Sequence, residues 1–341
     1  MNKYIIIGAY GGANIGDDLI LHVLLSVLKK TGNGNSVNIF STIKDEKIPQ
    51  RKIAGERIFG FNIFCKLFFS LCTRQLIFGG GQLLNGGNER KSIYFAILVG
   101  FINRVFLKKP IMVGVGQGGC ASAFDEFLMS LIPFFYSEVV VRDRYTANLM
   151  SKYKPVSLSS DLVYTHTKEM LLSISSKLNL AETENDSVLV FVHGHPKKKY
   201  IESADLMKFL VNCRSMNIKI AVQDTRDLHD KNVAEEVDAF LKENKIKSEV
   251  KVLASAEEML EEINRAGVVI SARMHPLICG SILGKKIGAL AKSKKIEELK
   301  DDLNFYSINL NENFDCEINK CHKVETLNLY SASKVIDHVL R

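Results

Sequence analysis

One eight-residue run places an arginine and a histidine at the end of an apolar segment. Ser271–Ile278 (Ser-Ala-Arg-Met-His-Pro-Leu-Ile) follows Val268–Ile270, which is typical of a buried strand, and leads into a helical pattern that reaches Leu283. A strand that ends in polar residues and continues as a helix presents them beside the free N–H groups of the first helical turn, which suits an anion. Arg273 and His275 are therefore candidate anion-binding residues. The structural alternative is that Arg273 caps a neighbouring helix and His275 is an ordinary residue of a helix N-terminus.

A glycine-rich run follows the first apolar segment of the chain. Gly8–Asp18 reads Gly-Ala-Tyr-Gly-Gly-Ala-Asn-Ile-Gly-Asp-Asp and opens a long helical pattern. Its glycines allow close approach of the backbone to a ligand, but the spacing matches neither the dinucleotide motif nor a Walker phosphate loop. Asp17 and Asp18 either cap the helix or act as a general acid or base.

Two further glycine runs fall at predicted strand ends. Gly79–Gly81 leaves room for a substrate or forms a simple turn. Gly114–Gly119 formally satisfies the dinucleotide spacing, with Asp143 after the next strand. That interpretation is weak, because the run follows the fourth strand of its half, whereas dinucleotide-binding domains usually carry the motif on the first.

An arginine ends the fifth predicted strand. Arg142 either binds a carboxylate or phosphate through its planar guanidinium or pairs with the adjacent Asp143. The run Ser159–Asp161 is interpreted as a structural polar loop.

Histidine and lysine groups elsewhere are weaker signals. His193 and His195 stand one residue apart but lack a third ligand at a metal-site spacing. Lys292, Lys294 and Lys295 follow the last predicted strand of the pattern and could meet a phosphate. The seven cysteines are scattered without a Cys-x-x-Cys pair. We therefore predict no metal and a reducing, cytoplasmic environment.

Short apolar runs alternate with helical patterns along the chain, which predicts parallel sheets covered by helices on both faces. The predicted helices lie near 17–30, 61–72, 91–107, 123–136, 145–152, 201–215, 229–244, 256–265, 276–284 and 295–303. The predicted strands are Tyr4–Ala9, Val37–Ser41, Gln75–Phe78, Pro110–Val115, Val139–Arg142, Val188–His193, Ile218–Gln223, Val250–Leu253, Gly267–Ser271 and Ile287–Ala291.

A polar stretch at Asn179–Asp186 is the best linker candidate. The pattern predicts α/β architecture with two Rossmann-like, doubly wound domains that face a cleft. We place them at residues 1–178 and 187–325, followed by a C-terminal helix at 326–341. Ligands are expected at the carboxyl ends of the strands.

The composition limits the classes of binding partner that the protein can have. The 341 residues carry a net charge of +7, which favours anionic partners, but no arginine-rich stripe with aromatics indicates nucleic acid. Tyr4–Ile7 is too short for a signal peptide. The apolar segments Ile58–Cys72 and Ile93–Leu107 fall short of the ~20 residues that span a bilayer, so buried helices are expected. The alternative is a peripheral contact with the inner face of the cell membrane, with cations meeting anionic headgroups: Lys66, Arg104, Lys108 and Lys109.

Taken together, the strand-end motifs resemble those of the polysaccharide pyruvyl transferase family over roughly residues 4 to 296. The matching motifs are Asn14–Asp18, Gly79–Gly81, Gly114–Gly118, Val141–Asp143, Ser160–Leu162 and Ser271–Ile278. The resemblance implies a glycosyltransferase-B-like fold. It also implies transfer of a pyruvyl group from phosphoenolpyruvate to hydroxyls of a surface polysaccharide or its precursor, on a glycan or lipid-linked glycan acceptor, with no cofactor.

The resemblance also implies roles for individual residues. Arg142, His275 and Lys295 would hold the donor, although Lys292–Lys295 departs from the Tyr-Asp-Pro-Lys-like run of the family. His275 or Asp17 would transfer protons, while Arg142 and Arg273 neutralise charge. The remaining substrate-contacting residues predicted from the motifs are Gly11, Asn14, Asp18, Gly80, Gly116 and Gln117.

Two other functions fit the same pattern. One is a nucleotide-sugar-dependent glycosyltransferase of the same architecture. The other is a non-catalytic polysaccharide-assembly protein.

Overall fold

The chain folds into two compact units, each built around one sheet. The computed structural model describes residues 4–12, 14–30, 32, 37–43, 52–53, 56–60, 64–118, 120, 122–164, 184–194, 203–211, 216–223, 228–290, 296, 299–300, 306–310, 317 and 320–323. Of these, residues 4–12 and 17–164 belong to the first unit by their contacts. Residues 14–16 and 184–323 belong to the second.

The first unit contains an eight-stranded sheet in the order β3-β4-β2-β1-β5-β6-β7-β8. All neighbours are parallel except β3 and β4. The strand order reverses between β1 and β5, and ligands of doubly wound sheets bind at such a point. The strands are β1 (Tyr4–Gly8), β2 (Val37–Ser41), β3 (Lys52–Ile53), β4 (Glu56–Phe59), β5 (Gln75–Leu84), β6 (Ile111–Gln117), β7 (Glu138–Val141) and β8 (Ser157–Leu158).

Within the described residues of this unit, the helices are α1 (Ile15–Lys30), α2 (Phe64–Thr73), α3 (Lys91–Val105), α4 (Ala123–Leu131) and α5 (Arg144–Met150). Short 3-10 turns lie at Gly87–Glu89 and Ile132–Phe135. The central strands are apolar on both faces, so β1 is buried along its whole length. The Asp143 side chain caps α5 by accepting a 2.7 Å hydrogen bond from the Thr146 amide, which ends β7 and starts the helix at a defined residue.

The second unit repeats the plan with strand order β11-β10-β9-β12-β13-β14 and β15 paired antiparallel to β13. Its strands are β9 (Glu184–Phe191), β10 (Asn217–Val222), β11 (Ser248–Val252), β12 (Ala266–Ser271), β13 (Lys286–Ala289), β14 (Tyr306–Ser307) and β15 (His322–Lys323). Its helices are α6 (Ser203–Leu210), α7 (His229–Glu243), α8 (Ala256–Arg265) and α9 (Met274–Ile282). Here the strand order reverses between β9 and β12, so the loops after these two strands are the expected ligand-binding loops.

The α/β class and the two parallel sheets predicted from the pattern are confirmed. Five short strands were not predicted, namely β3, β4, β8, β14 and β15, because segments of two to four residues carry little periodic signal. Two of their pairings are antiparallel, β3 with β4 and β13 with β15.

The placement of two glycine runs at strand ends was wrong. Gly79–Gly81 lies inside β5, which continues to Leu84, and Gly114 and Gly116 lie inside β6. Glycine lacks a Cβ, so it can stay in a strand where neighbouring groups approach too closely for another residue. The formal dinucleotide spacing at Gly114 is therefore not a strand-to-helix turn.

Several predictions fall outside the described residues. They are residues 179–183 of the predicted linker, the C-terminal helix at 326–341, His195, and the three lysines Lys292, Lys294 and Lys295. The linker prediction was wrong for residues 184–186, which lie in β9. None of the helices that the structure describes is both long and apolar enough to cross a bilayer.

Candidate functional site

The loop after β1 is organised by contacts to its own backbone. Gly11, at φ 73°, donates its amide to Asp18 Oδ1 over 2.7 Å. Asn14 Oδ1 accepts a 3.2 Å hydrogen bond from the Gly16 amide, which caps the start of α1. Asp18 thus binds a loop amide that precedes α1, and the amide of Gly11, expected to face a ligand, is bound to this carboxylate.

Asp17 is the other acid of this loop and is 8% exposed. A Cβ added at Gly81 would lie 2.8 Å from Asp17 Oδ1, so the glycine leaves the space that the carboxylate occupies. The buried phenol of Tyr10 donates to the Gly79 carbonyl. Burial, and then the negative charges of Asp17 and Asp18, raise the pKa of Tyr10 well above its ordinary value, so this phenol stays protonated.

Gly80 contacts the protein's own side chains. It has φ 79°, and an added Cβ would overlap Cγ2 of Ile20 and lie 3.1 Å from the Tyr10 hydroxyl. The space that the glycine run leaves at this position is therefore filled by α1 rather than by a substrate. A substrate contact of Gly80 through its backbone stays a prediction.

Arg142 follows β7 and its side chain is only 7% exposed. Its Nη1 donates to Asp161 Oδ2 over 2.8 Å, and Asp161 Oδ1 accepts from the Val163 amide. A Cβ at Gly116 would lie 2.7 Å from Arg142 Nε, so the guanidinium stacks closely along β6. The expected pairing with Asp143 is replaced by pairing with Asp161, because Asp143 caps α5.

Further buried polar atoms lie at the carboxyl ends of β6 and β8 in the same sheet. Ser159 is tied to β7 through its amide, which donates to the Val141 carbonyl over 2.8 Å. Among the described residues, no hydrogen-bond partner is found for Ser159 Oγ, Ser160 Oγ or Gln117 Oε1. Buried polar groups normally have hydrogen-bond partners. Three atoms without a partner at the carboxyl edge of one sheet therefore indicate a place where a ligand would supply the missing hydrogen bonds.

Gln117 is held firmly by its remaining groups. Its amide donates to Thr146 Oγ1 over 3.0 Å, and its Nε2 lies 2.8 Å from Cys120 Sγ. Burial, followed by the negative charges of Asp125 and Glu126, raises the pKa of the Cys120 thiol to about 11. The thiol is therefore protonated near neutral pH and is not a thiolate nucleophile.

His275 is the second residue of α9 and is 8% exposed. Its ring packs against the backbone of Gly16, where an added Cβ would overlap Nδ1. The segment 14–16 belongs to the same unit and is held there by the Ile15 amide, which donates to the Gln223 carbonyl over 3.2 Å. The absence of a side chain at position 16 thus leaves room for the imidazole.

Arg273 is bound by a buried carboxylate. Its Nη2 lies 2.6 and 2.5 Å from the two oxygens of Asp230, which is 2% exposed in the first turn of α7. Asp230 also accepts a 2.8 Å hydrogen bond from the Gly194 amide in the loop after β9. Arg273 therefore ties that loop and α7 to the end of β12 through an ion pair between side chains.

Sequence reasoning missed three residues of these clusters. Asp161 lies in the run interpreted as a structural loop, although its Ser-Asp-Leu motif was part of the family resemblance. Asp230 carries no local signal, because its partner Arg273 is 43 residues away. Gln223, whose buried Oε1 has no partner among the described residues, follows an ordinary strand pattern.

No group of three or more His, Cys, Asp or Glu side chains is arranged to hold a metal within the part of the chain that the structure describes.

The fold is similar to that of solved nucleotide-sugar enzymes. The UDP-GlcNAc 2-epimerase from Methanocaldococcus jannaschii matches with a TM-score of 0.62 at 12% identity, covering 99% of each chain. The Neisseria meningitidis enzyme bound to UDP-GlcNAc matches with a TM-score of 0.60 at 12% identity, covering 100% of this chain and 99% of the other. A glycosyltransferase from Rickettsia africae ESF-5 matches at 0.57 and 12%, covering 99% and 93%. These similarities confirm the glycosyltransferase-B-like fold.

A search of curated proteins finds no match. The family model described as polysaccharide pyruvyl transferase matches residues 14–291. This range holds most of the chain and includes Asp17, Arg142 and His275. The chain therefore belongs to the polysaccharide pyruvyl transferase family.

Proposed function

We propose that this chain transfers a pyruvyl group from phosphoenolpyruvate to two hydroxyls of a sugar in a surface polysaccharide or its precursor, forming a ketal. The family supports a transferase that acts on polysaccharide. The donor assignment depends on one observation, the buried guanidinium of Arg142 at the carboxyl edge of the first sheet.

One side of the Arg142 guanidinium is hydrogen-bonded to the protein, and the other side is available to a ligand. Nη1 is bound to Asp161, whereas the described residues provide no hydrogen bond to Nε and Nη2. These two groups form a planar fork that matches a carboxylate or a phosphate with two parallel hydrogen bonds. The hydroxyls of Ser159 and Ser160, which precede its partner Asp161 in the chain, add two further donors. A doubly anionic donor such as phosphoenolpyruvate fits this chemistry.

The reaction requires three proton movements. A sugar hydroxyl adds to C2 of the donor and loses its proton, while the methylene carbon gains one to become a methyl group. The C2–phosphate bond then breaks, and a second hydroxyl adds to C2 as its proton leaves with the phosphate. We assign proton transfer to His275 and Asp17, and neutralisation of the developing charge to Arg142.

Release of phosphate tests the proposal. We expect purified protein to release inorganic phosphate from phosphoenolpyruvate only when a sugar precursor with two suitably placed hydroxyls is added. One phosphate should appear for each ketal detected by mass spectrometry. If no member of a broad acceptor panel supports release, and the donor leaves the melting temperature unchanged, the proposal is wrong.

We expect the activity to need no metal and no cofactor beyond the donor, because the Arg142 guanidinium supplies the charge compensation. Treatment with a chelator should leave the rate of phosphate release unchanged. Activity lost on chelation and restored by a divalent cation would contradict this prediction.

A nucleotide-sugar-dependent glycosyltransferase is the second candidate, since one structurally similar enzyme was solved with UDP-GlcNAc bound. A thermal-shift comparison separates the two. Stabilisation by UDP-sugars and not by phosphoenolpyruvate would favour this candidate. No binding of phosphoenolpyruvate at millimolar concentration, with no nucleotide-sugar effect either, would favour a non-catalytic assembly protein.

A further inference from the structure

Helix α3 is apolar on two opposite sides. Its inward stripe packs in the core of the first unit: Ile93, Ala96, Val99, Gly100 and Asn103. Its outward stripe has helical spacing and side chains that are 46–56% exposed: Tyr94, Leu98, Phe101 and Val105. A helix with one side toward water normally carries polar residues there. An apolar outward stripe indicates that something other than water covers it.

The exposed apolar surface continues onto α2 and beyond the end of α3. The Phe68 ring meets the Phe106 ring edge-on at 6.4 Å, which joins the two helices. Leu107 is 92% exposed and adopts φ 56°, a left-handed conformation that glycine adopts more readily. We call this surface the apolar face; it consists of Phe64, Phe68, Phe69, Tyr94, Leu98, Phe101, Val105, Phe106 and Leu107. Contiguous exposed apolar surface of this kind marks an interaction site.

The same part of the chain carries the positive charge. Residues 57–124 contain eight basic residues and a single acid, Glu89, so their net charge of +7 equals that of the whole chain. The rest of the protein is electrically balanced. The eight cations are Arg57, Lys66, Arg74, Arg90, Lys91, Arg104, Lys108 and Lys109.

Some of these cations lie close together. The Arg57 guanidinium and the Lys66 ammonium both lie over the Phe59 ring, 5.6 and 3.3 Å from its centroid. Burial, and then the positive charges of Arg57 and Arg74, lower the pKa of Lys66. Like charges held together repel each other, and an anion placed beside them relieves the repulsion.

We infer that the apolar face and its flanking cations dock the first unit onto a lipid surface that carries anionic headgroups. The apolar side chains would enter the boundary between headgroups and acyl chains, while the cations would contact the headgroups. A second copy of the chain is a poorer occupant, because the cations beside one face, such as Lys66, Lys108 and Lys109, would oppose the same cations of the other copy. This inference is independent of the donor and the reaction.

Flotation with lipid vesicles tests the docking directly. We expect the wild-type protein to float with vesicles of phosphatidylcholine mixed with phosphatidylglycerol, and to bind pure phosphatidylcholine far less. Raising the salt concentration should weaken the binding, since it screens the cations. Failure of the wild-type protein to bind the mixed vesicles overturns the inference, whatever the variants do.

Two matched pairs of variants locate the docking surface. The double variant Lys108→Gln/Lys109→Gln should lower the partition coefficient about 25-fold, because each cation near the surface contributes about fivefold. Lys29→Gln with Lys30→Gln, an exposed adjacent pair on α1, should leave it unchanged. Phe101→Ser with Leu107→Ser should abolish binding, whereas Leu228→Ser with Val252→Ser, exposed residues of the second unit, should not.

The outcomes separate the occupants. All replaced side chains are exposed or partly exposed, so melting temperatures should remain near that of the wild type and serve as the folding control. The inference is overturned if each control variant loses as much vesicle binding as the docking-surface variant with which it is matched. It is also overturned by a concentration-dependent dimer, seen by analytical ultracentrifugation, that the Phe101/Leu107 variant dissociates while vesicle binding is absent.

Discussion

Replacing Arg142 with alanine is expected to lower kcat/KM for phosphoenolpyruvate at least ~100-fold, the scale of losing one preorganised charge-stabilising group. The Nε and Nη2 edge of its guanidinium is the group that we assign to the donor. Steady-state phosphate release at several donor concentrations measures the effect. The matched control is Arg144→Ala, an exposed arginine two residues further on, which should remain within about twofold of wild type because surface charges contribute little.

The Arg142→Ala variant also leaves the buried Asp161 without its cation, which destabilises the fold. Arg142→Lys separates the two effects. It keeps a positive charge beside Asp161 but cannot present a planar fork. We expect a melting temperature near that of the wild type and a kcat/KM reduced at least ~10-fold, by about the 1.4 kcal/mol that corresponds to a tenfold change. Wild-type rates in folded Arg142→Ala would refute the assignment.

Replacing His275 with alanine is expected to lower turnover at least ~100-fold, because general acid–base catalysis contributes ~10²–10⁴-fold. A buried imidazole at the start of α9 is the group that we assign to proton transfer. The pH dependence of kcat should lose one limb in the variant, a change that a merely structural role would not cause. An unchanged rate and an unchanged pH profile in the folded variant would contradict this role.

Gly16→Ala tests the same histidine from its neighbour. An alanine Cβ would overlap His275 Nδ1 and displace the ring, although alanine in a helix is otherwise favoured over glycine by about 0.5–1 kcal/mol. We expect this variant to lose activity at least ~10-fold with a circular dichroism spectrum like that of the wild type. Full activity would show that the position of the ring does not matter.

Much of the architecture was predictable from local pattern. Apolar runs such as Val37–Ser41 and the helical period of Ala256–Arg265 specify their elements with the bounds that the structure has. A buried parallel strand must be apolar on both faces, and a few consecutive residues are enough to recognise that pattern. The ends of β5 and β6 could not be predicted from the sequence, because glycine normally indicates a turn, whereas here it permits close packing within a strand.

The sequence by itself determined the α/β class, the succession of strand-end motifs and the family to which they belong, since each depends on residues that are neighbours along the chain. Only the tertiary structure decided which charges pair. Asp161 lies 19 residues from Arg142 and Asp230 lies 43 residues from Arg273, and each pair meets because parallel strands bring their carboxyl ends to one edge of a sheet. For the same reason, Asp161 binds Nη1 of Arg142, whereas Asp230 binds Nη2 of Arg273 through both carboxylate oxygens.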